Sequence, residues 1–257
     1  MTRLIDTHAH LDGVEDIETA LAAARAAGVV AIVAVGTDAA TNARGLDLAA
    51  KYPGFVFPAL GLHPGDLGAL DDAEVAATLA CIEAHIGVAV AVGEIGLDYD
   101  KRVVRACPKP RQREALERLL ALARRHDKPV SVHSRYAWRD AFDIVRASGV
   151  ATAIFHWYTG LSSVLRDIIA AGYVISATPA AEYHEEHRRA VREAPLESLL
   201  LETDCPVTYG RTDRYRAAPA DVVRSLRAVA AIKGLDVDVV AEATTANAAR
   251  IFRLRLG

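Results

Sequence analysis

Sulfur-containing and aromatic side chains are scarce in this chain. Its 257 residues include three cysteines (Cys81, Cys107 and Cys205), one methionine and two tryptophans, and only 6% are aromatic. An odd cysteine count with no CxxC pair argues against both a disulfide framework and a thiolate zinc site, and a reducing compartment is expected. Long apolar runs are also missing. The longest such stretch, residues 28–35, falls far short of the roughly 18 residues that span a bilayer. The opening residues hold no apolar signal core, so a cytoplasmic location without a membrane partner is expected. A net charge of -3 argues against coating nucleic acid through overall charge, so a nucleic-acid partner has to be held locally. No low-complexity tract or Ser/Gly linker marks a boundary, and one domain over residues 1–257 is expected.

What the chain does have is a regular alternation. Short apolar runs ending in Gly, His, Glu or Asp alternate with longer amphipathic stretches, as in parallel strands joined by helices. Strands are predicted at residues 4–9, 29–35, 55–62, 88–94, 129–133, 151–156, 173–177 and 198–204. Helices are predicted between them, followed by further helices at 221–233, 237–243 and 246–253. Eight such units in about 250 residues suit a single α/β barrel of the TIM (β/α)8 type with extra C-terminal helices better than an open sheet. Two connections, residues 97–110 and 205–219, are predicted to be long loops, and long loops in a compact domain are usually functional.

The ends of the predicted strands carry the chemistry. His8 and His10 are two apart at the end of the first strand, so alternation sends both imidazoles to one face. Glu94 closes an apolar run where a carboxylate is costly unless paired or bound to a metal. His133, His156 and Asp204 end three further runs. Taken singly, each is more readily a hydrogen-bonded core histidine or a helix-capping aspartate than a ligand. Together they place ligand-type side chains from five strands on the face where barrel enzymes keep their active sites. Four imidazoles and two carboxylates exceed the needs of one tetrahedral ion, so two divalent ions are expected, with Glu94 bridging. His8, His10 and Asp204 would complete one ion, and His133 and His156 the other. A metal-activated water would be the nucleophile, with Asp204 placed to take its proton. His63, in Gly-Leu-His-Pro, is either a turn histidine or a group that holds the scissile bond or donates a proton. His85, His126, His184 and His187 are read as solvated helix positions. Six basic residues between Lys101 and Arg113 are either a solvated run or a phosphate contact, with Tyr99 nearby offering a base-stacking face.

Beyond those single positions, the motifs Ile5-Asp6-Thr7-His8-Ala9-His10, Gly61-Leu62-His63-Pro64 and Gly93-Glu94-Ile95-Gly96-Leu97-Asp98-Tyr99 resemble signatures of the TatD-like DNase family. So, in order, do Val132-His133-Ser134-Arg135, His156-Trp157-Tyr158, Glu202-Thr203-Asp204-Cys205-Pro206 and Asn247-Ala248-Ala249-Arg250. The resemblance spans the chain. It implies a barrel of the amidohydrolase superfamily, divalent-metal ligands at His8, His10, Glu94, His133, His156 and Asp204, and hydrolysis of DNA phosphodiesters. Typical members are magnesium-dependent 3′-to-5′ exonucleases. DNA with single-stranded or frayed ends is therefore the expected partner, held by His63, Arg135 and Tyr99, and no obligate protein partner is expected. Trp157-Tyr158 departs from the commoner Cys-Phe or Asn-Phe of the family. An imidazole-rich site favours zinc or manganese over magnesium, so the ion's identity stays open among the three. The alternative chemistry is a metal-dependent amidase or esterase of the same superfamily; a barrel that only binds is the third reading.

Overall fold

The computed structural model describes residues 3–256. Met1, Thr2 and Gly257, which the single-domain expectation includes, lie outside the described residues. Eight strands run in chain order around one parallel sheet: β1 (Leu4–Ala9), β2 (Val29–Val35), β3 (Val56–Leu60), β4 (Ala91–Gly96), β5 (Val130–His133), β6 (Ala153–Phe155), β7 (Val174–Ala177) and β8 (Leu199–Leu201). Parallel strands covered on both faces need apolar side chains on both, and β2 (VVAIVAV) meets that demand along its whole length. One apolar cluster takes Ile5, Val33, Ala59, Ala91, Ile154, Val174 and Leu200 from seven different strands. Only the barrel interior lets so many strands face one another. Neighbouring strand positions join the helices in a second, larger cluster.

The sheet closes between β8 and β1 through a parallel bridge from Ala9 to Cys205. The Asp204 N–H donates to the His8 carbonyl at 2.9 Å, and the Asp6 carboxylate accepts from the Thr203 N–H at 2.9 Å and hydroxyl at 2.6 Å. The protein is thus a (β/α)8 barrel, as the alternation predicts.

The outer layer is α1 (Ile17–Ala26), α2 (Ala39–Lys51), α3 (Pro64–Leu67), α4 (Asp72–His85), α5 (Lys101–Ala106), α6 (Lys109–Arg125), α7 (Trp138–Ser148), α8 (Ser162–Ala170) and α9 (Glu185–Glu193), with α10 (Val222–Lys233) and α11 (Val237–Ile251) at the C-terminal end. Capping boxes start α2 (Asp38 with Thr41) and α4 (Asp71 with Glu74), satisfying main-chain donors that a helix leaves unpaired. Three details differ from the sequence expectation. The loop predicted over 97–110 contains α5. The two final helices are one, because the Thr244 hydroxyl bonds back to the Val240 carbonyl and the helix runs on through Thr244 and Thr245. The connection after β8 folds into a small antiparallel hairpin, β9 (Thr208–Tyr209) with β10 (Tyr215–Arg216). Among the described residues no helix is long and apolar enough to cross a membrane.

Candidate metal centre

Glu94 sits at the centre of the barrel mouth, and its neighbours are glycine for a steric reason. A Cβ at Gly61 would lie 2.3 Å from the Glu94 carbonyl oxygen, and one at Gly96, whose φ is +151°, would lie 1.9 Å from the His133 carbonyl oxygen. Only bare backbone allows β3, β4 and β5 to approach this closely around the carboxylate. The Asn42 carboxamide holds Gly61 in place, accepting from its N–H at 2.9 Å and donating to its carbonyl at 2.8 Å.

The six sequence-predicted side chains meet here, and the two oxygens of Glu94 divide them into two groups. Glu94 Oε2 lies 3.4 Å from His8 Nε2 and 3.4 Å from His10 Nε2. Asp204 Oδ1 lies 3.7 Å and 3.2 Å from the same two nitrogens, which are 3.3 Å apart. Donors about 2.0–2.2 Å from a tetrahedral ion are separated by roughly 3.3–3.6 Å. This first group therefore has the spacing of a divalent-metal site, and its nitrogen and carboxylate donors are those such an ion takes. Glu94 Oε1 faces the second group: His133 Nδ1 and His156 Nε2, each at 2.8 Å, and His63 Nε2 at 3.5 Å.

Several imidazoles have a partner behind them. His133 Nε2 is 3.0 Å from Asp98 Oδ2, His156 Nδ1 is 3.4 Å from Glu202 Oε1, and His8 Nδ1 is 3.2 Å from Ser131 Oγ. Outer partners of this kind orient metal-binding histidines and fix their tautomers. Glu202 also accepts from the Trp157 N–H at 3.1 Å, holding that residue at φ +41°. Asp98 and Glu202 escape the sequence reading. The signal for Glu202 is its spacing: two residues before Asp204, it can share that residue's strand face.

The electrostatics call for positive charge. Burial, the largest influence on His10, pulls its pKa down, but Asp204 and Glu94 more than offset this and lift it to about 9. His133 and His156 are raised as well, against burial, by Asp98 with Glu94 and by Glu94 with Glu202, respectively. Burial likewise pushes Glu94 and Asp204 upward, yet His156 and His63 hold Glu94, and His10 and His8 hold Asp204, below the usual carboxylate range. In the absence of an ion, protons supply the cationic charge that this cluster attracts. His8 and His63 differ: burial lowers both, His63 to about 3, and His63 Nδ1 accepts from the Gly65 N–H at 3.0 Å. That bond leaves the ring proton on Nε2, facing the cluster.

The cluster opens into a cleft of about 740 Å³ that includes His63 and Arg135. Tyr99 is not among the lining residues: its hydroxyl donates to Asp140 at 2.7 Å, and the Lys109 ammonium stands 3.8 Å over its ring. Three residues of the basic stretch are also committed elsewhere, Lys109 to this ring, Arg111 to the Leu70 carbonyl and Arg113 to Asp140. His187, read as solvated, is fully buried. Its Nε2 accepts from the Thr178 N–H at 3.1 Å and its Nδ1 donates to the Tyr158 carbonyl at 3.0 Å.

A (β/α)8 barrel that gathers four imidazoles and two carboxylates at the carboxyl ends of its strands has the architecture of a metal-dependent hydrolase. The chain belongs to the TatD related DNase family, which it matches over residues 5–253. It is 33% identical over 259 residues to human deoxyribonuclease TATDN3, covering 97% of this chain and 94% of that protein. It is 37% identical over 262 residues to a Mycobacterium tuberculosis protein described as an uncharacterized metal-dependent hydrolase, TatD, covering 98% of each. Its fold superposes on the crystal structure of YJJV, a TatD homologue from Escherichia coli, with a TM-score of 0.89 at 31% identity, covering 99% of both chains.

Proposed function

We propose that this chain is a divalent-metal-dependent deoxyribonuclease that trims single-stranded or frayed DNA in the 3′-to-5′ direction. Residues 1–257 would act as one catalytic domain in the cytoplasm. The observation that carries the reading is the division of Glu94, with Oε2 toward His8 and His10 and Oε1 toward His133 and His156. A carboxylate so placed would suit a bridge between two ions, with His8, His10 and Asp204 holding one and His133 and His156 the other. The imidazole-rich set favours manganese or zinc over magnesium. Bound cations there supply Lewis acidity and bring the pKa of a coordinated water toward about 7.

The chain's own residues do the rest. Asp204 takes the proton of the attacking water. Neutral His63 would donate a hydrogen bond from its Nε2–H to a phosphoryl oxygen, and Arg135 on the cleft wall would attract the strand's backbone. A cleft of about 740 Å³ has room for the end of a single strand. Free cysteines throughout the chain agree with the cytoplasmic assignment.

The test is digestion of end-labelled single-stranded DNA with added magnesium, manganese or zinc, beside the Asp204→Asn variant. Metal-dependent shortening that the variant lacks supports the reading. Ester or amide turnover without DNA cleavage, in protein shown to hold metal, would replace it with the amidase or esterase chemistry.

A further inference from the structure

Aromatic residues are only 6% of the chain, yet Tyr136, Trp138 and Trp157 all line this one cleft. Tyr136 is 57% exposed, among the most exposed large apolar side chains. Its ring meets Trp138 edge-on, with centroids 6.0 Å apart. Trp138 in turn fits against bare backbone, since a Cβ at Gly160 would lie 2.4 Å from its Cγ. The left-handed non-glycine residues include Tyr136, Trp157 and Asp204, and all three line the cleft. Such backbone conformations are unfavourable for side-chain-bearing residues and persist where the surrounding structure fixes a side chain's aim.

Barrel order divides the cleft. Thr37 and His63 follow β2 and β3 on one side of Glu94, while Tyr136 and Trp157 follow β5 and β6 on the other. Glu186 and Arg135 both line the aromatic side and offset each other's charge, so the ring faces, not net charge, distinguish it. Tyr99, the stacking candidate from sequence, does not line the cleft and has the Lys109 ammonium 3.8 Å over its ring, whereas the Arg135 guanidinium stands further from Tyr136, at 5.4 Å.

We propose that Tyr136 and Trp157 form a nucleobase-stacking subsite that holds the unpaired base beside the scissile phosphate. The proposal rests on the nuclease reading and adds what the enzyme grips: a π-face, which every base has and a duplex end conceals. The subsite therefore selects unpaired termini with little regard to which base they carry.

The test compares two end-labelled single strands of equal length, one with normal 3′-terminal nucleotides and one with abasic ones, in the metal-loaded full chain. The expected result is a kcat/KM roughly tenfold higher for the base-bearing strand. Tyr136→Ala, at an exposed position that does not threaten folding, is expected to remove most of that preference through KM, and Tyr136→Trp to retain it. In the metal-free protein a deoxydinucleotide is expected to quench tryptophan fluorescence while its abasic counterpart does not, and Trp157→Phe is expected to weaken the quenching. Equal cleavage of both strands without quenching would overturn the subsite and leave the nuclease intact. Cleavage of neither strand would overturn the nuclease reading and the subsite with it.

Discussion

Gln112 grips the main chain of Asp98 at both ends. Its carboxamide oxygen accepts the Asp98 N–H at 2.9 Å, and its amide donates to the Asp98 carbonyl at 3.0 Å and to the Cys107 carbonyl at 2.8 Å. Asp98 then meets His133 at 3.0 Å, so a helix residue outside the barrel sets the orientation of an imidazole at its mouth. Gln112→Ala strands buried main-chain groups and is expected to cost about 3 kcal/mol. The urea midpoint of the metal-free protein measures this; an unchanged midpoint would mean that water replaces the carboxamide without loss.

Glu202 stands behind His156 as Asp98 stands behind His133. Glu202→Gln keeps the shape and removes the charge that orients His156. Losses of this kind lower metal affinity by roughly 10- to 100-fold. Titration calorimetry with manganese or zinc on both proteins gives the ratio, and equal affinities would remove Glu202 from the site's support.

His187, bonded to the Tyr158 carbonyl two residues after His156, gives the fold an acid-sensitive point that is not itself one of the proposed ligands. Burial lowers its pKa from the ordinary 6.5 to about 4, so below pH 6.5 the unfolded chain takes up a proton that the folded chain refuses. The stability it contributes is complete above about pH 6.5 and declines as pH falls toward about 4. Between pH 7 and 4.5 the wild type is expected to lose about 2 kcal/mol more than His187→Gln. Parallel slopes in urea unfolding would show that His187 titrates normally.

His187 also shows where sequence reasoning falls short. Charged neighbours on both sides, Glu185, Glu186, Arg188 and Arg189, make it look solvated, whereas helical geometry turns it inward with Ala190 and Val191. Helix α5 is missed for the opposite reason: none of its residues is buried, so it has no apolar stripe to read. The metal-type residues are legible because period-two alternation puts His8 and His10 on one face and because a charged or imidazole residue ending an apolar run is unusual. Asp98 lies in the irregular segment after β4, which periodicity does not describe. Tyr99 is drawn to the site by sequence proximity, but the Asp140 and Lys109 that engage it are fixed only by tertiary packing.

The most direct test of the centre joins composition to rate in one preparation: elemental analysis of bound metal and cleavage of end-labelled single-stranded DNA, for wild type and Glu94→Ala. A bridging Glu94 predicts that the variant loses at least one ion and that cleavage falls by roughly a hundredfold or more. Full metal content with a full nuclease rate in the variant would contradict it.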